Sequence, residues 1–170
     1  MRVTLKTERL VLRPFEVTDA KSMFDTWAND PEVTKYVTWD AHQDVNVSEQ
    51  IVNLWVSQYA KEERINFAIT LKENNQLIGG IDVVGYLEGI PVIGYVIGRS
   101  YWNNGYVTEA CKEVIKFLKS LGHDKIIIDA LVENIASNKV ILKCGGVFQE
   151  TYEDFWKTKN INVKINRYII

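Results

Sequence analysis

Ser100-Tyr101-Trp102-Asn103-Asn104-Gly105-Tyr106-Val107-Thr108-Glu109-Ala110 joins an apolar strand to an amphipathic helix, and its reading decides the fold. Upstream, Val92-Ile93-Gly94-Tyr95-Val96-Ile97 is β-branched and aromatic, the composition of a buried strand. Downstream, Cys111, Val114, Ile115 and Leu118 follow the i, i+3, i+4, i+7 spacing that places them on one helix face. The junction is therefore a helix N-terminus, where the first backbone N–H groups lack intrahelical acceptors and the macrodipole favours negative charge. Such a turn can hold a phosphate on main chain alone. Gly105 lets a ligand approach the backbone closely.

Moving outward from this turn, Thr7 to Phe15 alternates like a strand and is ended by Pro14. Thr18 or Asp19 can cap a helix whose Ala20, Met23, Phe24 and Trp27 share a face, and Asn29-Asp30-Pro31 stops it. Residues 31 to 47 carry no clear period, after which Val47, Ile51, Leu54 and Trp55 predict a second helix to about Lys61. Asn66 to Leu71 and Leu77 to Val84 read as strands around a polar hairpin loop, and Gly85 to Pro91 reads as the connection to the strand before the turn. After the long helix, Lys125 to Leu131 is strongly β-branched, so a parallel crossover into the sheet is expected. Asn134 to Gly146 reads as a short helix with an N-cap candidate and a C-terminal glycine pair, followed by a final hairpin from Val147 to Ile170. One domain spanning 1–170 is expected, of α/β (α+β) class, with a mixed, mostly antiparallel sheet of about seven strands flanked by helices.

Composition narrows the function classes. The 170 residues are 46% hydrophobic and 25% charged, the balance of a globular domain, and a formal charge of -2 argues against a strongly cationic nucleic-acid binder. No apolar run approaches the roughly 20 residues of a membrane helix, and Met1 to Lys6 lacks the apolar stretch of a secretory signal. No nucleic acid, no membrane and a cytoplasmic location are the expectations. Cys111 and Cys144 have no metal-ligand or Cys-x-x-Cys spacing and read as structural thiols, and no metal is expected.

Trp-x-x-Gly-Tyr-x-Thr-Glu-Ala after a Gly-Tyr strand resembles the acyl-CoA-binding segment of the GCN5-related N-acetyltransferases (GNAT), in particular their RimJ/RimL-like branch, which acetylates ribosomal proteins. Glu133-Asn134-Ile135-Ala136-Ser137-Asn138-Lys139, before a helix ending in Cys-Gly, is similar to a second segment of that family. With the first strand and the last hairpin, the resemblance covers nearly the whole chain. It implies the single-domain GNAT fold, acetyl-CoA as cosubstrate and an amine as acceptor. It also implies a pyrophosphate on the turn Asn103, Asn104, Gly105, Tyr106, Val107 and Thr108, and pantetheine along Tyr95, Val96 and Ile97. Asn134 and Asn138 inherit contacts to pantetheine or adenosine, although an Asn at that place can equally cap the helix. Ser137 inherits the donation of a proton to the departing thiolate, the alternative being a solvated first-turn serine.

Acetyl transfer to an amine needs a neutral amine, a polarised carbonyl and a proton for the thiolate, and a carboxylate near the amine can take its proton. Many relatives place a Glu two residues before the Gly-Tyr of the strand, where this chain has Val92. Asp82, on the preceding strand, and Glu88, in the connecting loop, are the remaining base candidates. Asn103 stands where relatives usually have a Gly, and Asn is the non-glycine residue that best tolerates positive φ. Trp27, Tyr36, Trp39, Trp55 and Tyr86 fall in segments that wall the acceptor site in relatives, and each is equally readable as core. The leading reading is direct transfer from acetyl-CoA to a primary amine in a ternary complex. The missing strand Glu keeps open a non-catalytic acyl-CoA-binding or regulatory module, and a homodimer is compatible with either.

Overall fold

The computed structural model describes residues 2–61 and 64–170. β2 (Leu10–Arg13), β3 (Asn66–Leu71), β4 (Leu77–Leu87) and β5 (Ile90–Ile97) pair antiparallel in succession. The stretch from Gly85 to Pro91 differs from the expected connection, because strand continues on both sides of a two-residue turn. Glu88 and Gly89 take φ of 50° and 82°, the consecutive left-handed pair that tightens a hairpin in keeping with strand twist.

β5 leads through the turn into α4 (Tyr106–Ser120), which returns the chain to β6 (Ile127–Leu131), parallel to β5 as expected. α5 (Ile135–Lys143) and the hairpin of β7 (Val147–Trp156) and β8 (Ile161–Ile169) complete an eight-stranded sheet of order β1-β2-β3-β4-β5-β6-β8-β7. The strand beyond the expected seven is β1 (Leu5–Lys6), two residues paired to Leu12 and Val11, too short to show an alternation.

Each face of the sheet is covered by different helices. On one, Ala110, Cys111, Val114 and Leu118 of α4 and Ile141 of α5 pack on Leu10, Leu12, Phe67, Ile69, Ile81 and Ile93. A fully buried Leu or Ile contributes about 1.5–3 kcal/mol, so this stripe alone fixes α4 across the sheet. On the other, Phe15, Met23, Trp27 and Val52 pack on Ala68 and Leu77. Met23, Trp27 and Val52 come in turn from α1 (Asp19–Met23), its continuation as one wider π-helical turn Phe24–Ala28, and α3 (Val45–Tyr59), and Phe15 from the segment after β2. Between them, α2 (Pro31–Thr34) starts on Pro31 with the Asp30 carboxylate accepting from Glu32 N at 3.0 Å. Its four residues are too few to display the period that would have revealed it. Among the described residues no helix is long and apolar enough to cross a membrane.

Candidate active site

β5 and β6 pair only through Val92 with Ile127 and Ile93 with Ile128, and beyond those residues the two parallel strands part. β5 runs on to Ile97 and β6 to Leu131, each still paired on its outer side, to β4 and β8. The sheet therefore opens into a wedge at its centre. Gly98 N donates to Ile78 O at 2.8 Å, so strand alternation turns the amides of Tyr95 and Ile97 toward the wedge and that of Val96 toward β4. Of the three residues expected to line the pantetheine, Tyr95 and Ile97 turn backbone groups toward the wedge. Val96 instead points its side chain into the cluster with Phe15 and Trp27.

The turn after β5 has the expected geometry. Asn103 and Gly105 are both left-handed, φ 62° and 77°, so Asn stands in for glycine at the first of the two. Asn104 Nδ2 bonds to Trp102 O at 2.9 Å and Trp102 Nε1 to Ile97 O at 3.0 Å, which ties the turn to the strand. α4 has no side-chain cap; its first helical bond is Glu109 N to Gly105 O at 3.1 Å. The N–H groups of Tyr106, Val107 and Thr108 are left for an anion. This donor set fits a diphosphate, and the wedge fits the amide-bearing chain attached to it.

Tyr95 and Ser137 meet across the wedge on the α4 and α5 side. The Tyr95 hydroxyl lies 2.8 Å from Ser137 Oγ and 3.3 Å from Ser137 O. Burial pushes the Tyr95 phenol well above its ordinary pKa, so it remains a proton carrier. Asn134 caps α5, its Oδ1 accepting from Ser137 N at 3.2 Å, and so orients the serine.

Asn138 departs from the cofactor role carried over to it. Its Nδ2 donates to Leu131 O at 2.9 Å and Asn134 O at 2.8 Å, and its Oδ1 accepts from Asn166 at 3.0 Å and Tyr168 at 2.7 Å. Donors and acceptor are used up inside the protein, so the residue fastens α5 to β6 and β8. Asn138→Ala should lower unfolding stability by about 2–4 kcal/mol, the cost of several orphaned partners, with acetyl-CoA affinity unchanged in calorimetry. A tenfold affinity loss in a folded variant would restore the ligand role. Cys111 is fully buried, and Cys144, half-buried beside it, points its thiol at Thr108 O, 3.8 Å away. Both sit in the packing of α4 against α5, as expected of structural thiols.

On the opposite face, Asp82 stands in register with Gly94, the first β5 residue beyond the paired segment. It is paired with Arg64, which lies 5.0 Å above the Trp55 ring. Burial outweighs that cation and raises the Asp82 pKa to about 7. Beside it, Tyr59 hydroxyl bonds Asn66 Oδ1 and receives Phe15 N at 3.0 Å. Gln58 Oε1, Arg64 Nε, Asn66 Nδ2 and Asp82 Oδ1 are buried with no partner among the described residues. Sequence reasoning found Asp82 but neither its Arg64 partner nor this polar setting, because nothing in the spacing links the end of α3 to β4.

Glu88 is corrected. It occupies the hairpin tip before β5, with Gly122, His123 and Lys125 nearby, and the paired segment at Val92 and Ile93 separates it from the wedge. Of the aromatic residues considered for the acceptor wall, Trp27 is core, 1% exposed, and Trp55 packs on Phe15 with ring centroids 4.8 Å apart. Tyr36 packs on the cluster of Leu131, Trp156 and Ile165, Trp39 lies 5.3 Å from the His42 ring, and Tyr86 is exposed at the far hairpin. Lys159 Nζ donates to Thr34 O at 2.5 Å, tying the last hairpin to α2. No cluster of three or more His, Cys, Asp or Glu suited to a metal occurs among the described residues.

The sequence model of the acetyltransferase (GNAT) domain matches residues 9–147. The uncharacterized N-acetyltransferase p20 of Bacillus licheniformis is 32% identical over 92% of this chain and 89% of its own length. A GNAT-family acetyltransferase structure from Bacillus anthracis superposes with a TM-score of 0.86 at 28% identity, covering 99% of this chain and 98% of that one. RimL, a ribosomal L7/L12 alpha-N-protein acetyltransferase solved with coenzyme A, shares the fold with a TM-score of 0.86 at 13% identity, covering 99% and 97%. A parted sheet, an uncapped glycine turn and these likenesses agree: the chain belongs to the GNAT acetyltransferase family and is an acetyl-CoA-dependent acetyltransferase.

Proposed function

We propose that the enzyme transfers acetyl from acetyl-CoA to a primary amine, a protein N-terminus or a small-molecule amine, by direct attack, with Asp82 as base and Ser137 as acid. One observation carries the reading: Asp82 and the Tyr95–Ser137 pair stand on opposite faces of the same opening in the sheet. Asp82, ionised above about pH 7, takes a proton from the amine directly or through a water. The Tyr95 and Ile97 amides meet the charge that builds on the carbonyl oxygen. The C–N bond forms as the C–S bond breaks; the amine proton passes to Asp82, Ser137 Oγ gives its proton to the thiolate, and a proton from solvent restores the Ser137–Tyr95 pair as CoA leaves. Asp82, on the neighbouring strand, offers the carboxylate absent at Val92, which supports catalysis over a non-catalytic module.

The test is release of free CoA thiol over a panel of peptides with free N-termini, amino acids, polyamines and aminoglycosides. Release with at least one class is expected; none, with acetyl-CoA still tightly bound, would overturn the reading. Ser137→Ala should lower kcat about 10–100-fold, less than loss of a base, because a thiolate leaves readily. The KM for acetyl-CoA should hold, and an unchanged kcat would remove Ser137 from the chemistry.

A further inference from the structure

Arg9 touches the phosphate turn from outside the wedge. Glu109, in the first turn of α4, accepts at Oε1 from Arg9 N, 2.8 Å, and Thr7 Oγ1, 2.5 Å, and at Oε2 from Arg9 Nε, 2.7 Å. The same guanidinium donates through Nη1 to the Asn104 carbonyl at 2.9 Å and covers the Tyr106 ring, 4.5 Å from its centroid. A Cβ built on Gly105 would come 3.5 Å from Arg9 Nη2. One side chain thus reaches three successive residues of the turn.

Burial alone would raise the Glu109 pKa, but hydrogen bonds from Thr7 and Arg9 overcome it and hold the carboxylate below its ordinary value. Glu109 therefore stays ionised. A carboxylate in the first turn suits an isolated helix, yet at a helix end that must receive a diphosphate it is a like charge. The Asn104 carbonyl, a negative dipole end in the same turn, carries the same liability unless it is held by a donor. Both are held by Arg9.

We propose that Arg9 is a positioning residue for the diphosphate of acetyl-CoA: it neutralises Glu109 at the mouth of α4, holds the Asn104 carbonyl, and leaves Nη2 beside Gly105. The alternative is a brace that merely pins the N-terminal strand to α4. The two differ in sign at Glu109. If Arg9 acts by charge, removing the carboxylate relieves repulsion; if it acts as a brace, removing either partner loosens the turn alike.

The experiment is calorimetric titration of the full chain with acetyl-CoA, beside competition by S-acetylpantetheine, which carries the thioester without the diphosphate. It depends on neither the acceptor nor the base. Arg9→Ala should raise the Kd for acetyl-CoA about tenfold, the scale of one charge-assisted contact, and leave S-acetylpantetheine unchanged. Glu109→Gln should bind acetyl-CoA as tightly as the parent or more tightly, and the double variant should recover most of the loss. A rise in Kd for Glu109→Gln matching that of Arg9→Ala would overturn the proposal, as would equal weakening of both thioesters. Should Arg9→Ala fail to fold, the Glu109→Gln titration alone still decides the sign.

Discussion

Asp82→Asn should lower kcat/KM for the acceptor by about 10²–10³-fold, within the range for a lost general base. The amide keeps the shape and the volume, so Arg64 retains a neighbour and the β4 register is undisturbed. The larger effect is on pH. Because burial raises the Asp82 pKa to about 7, the parent should gain activity as pH rises through that value. The variant should lack this limb. The acceptor amine adds its own limb at higher pH, distinguishable because it follows the pKa of whichever amine is used. Arg64→Gln, which removes the cation that opposes burial, should move the Asp82 limb upward. The sign for stability runs with it. A carboxyl whose folded pKa lies above its unfolded value of 3.8 contributes stability at low pH that is lost as pH rises through about 7. Steady-state rates by thiol release across pH settle the matter. Retention of both rate and limb in Asp82→Asn would transfer the base role elsewhere.

How far such a site is legible in sequence depends on whether its parts are local. The phosphate turn is local: strand, turn and helix follow one another directly from Val92 to Leu118, and the periodicity change between Ile97 and Cys111 marks the junction without any partner. Asn103 was legible for the same reason, since φ of 62° is a property of one residue and its type. The wedge was not, because parting strands depend on where β6 stops matching β5, and both segments read as ordinary strand. Asn138 misled because motif position fixes where a side chain starts but not what it meets; its partners Asn166 and Tyr168 come from the last strand. In the sequence Arg9 is only one step of an alternation, since its partner Glu109 lies 100 residues away. Glu88 failed on a smaller point: the left-handed pair with Gly89 continues the strands to a tip that the paired Val92 and Ile93 separate from the wedge.

The same contrast lets a domain keep its cofactor turn while the proposed base stands on a different strand. The turn and the α4 amides are backbone features, fixed by φ values that few side chains permit, whereas a carboxylate needs only to reach the opening. β4 and β5 are adjacent and in register, so Asp82 on one lies one strand spacing, about 4.8 Å, from Gly94 on the other. Gly94 adds no side chain between them, although Val84 packs close over it. A residue on the neighbouring strand can thus serve the face from which Val92 projects.

Gly105→Val should all but abolish acetyl-CoA binding. At φ 77° a β-branched residue is strained by about 1–2 kcal/mol, and its Cβ would stand 3.5 Å from Arg9 Nη2. The side chain would also rise beside the Tyr106, Val107 and Thr108 amides that are to meet the diphosphate. Strain and obstruction together predict a Kd for acetyl-CoA raised about 100-fold or more, since each 1.4 kcal/mol is a factor of ten. Asn103→Gly makes the opposite change at the other left-handed residue of the turn. Glycine adopts φ of 62° without the side-chain penalty, so its Kd should equal or fall below that of the parent, with a slightly lower melting temperature from greater unfolded-state entropy. Calorimetric titration of the two variants, with circular dichroism to confirm folding, separates the cases. Binding by Gly105→Val within threefold of the parent would mean that the diphosphate does not rest on this turn. A large loss in Asn103→Gly would mean that the Asn103 side chain, rather than its backbone conformation, contacts the ligand.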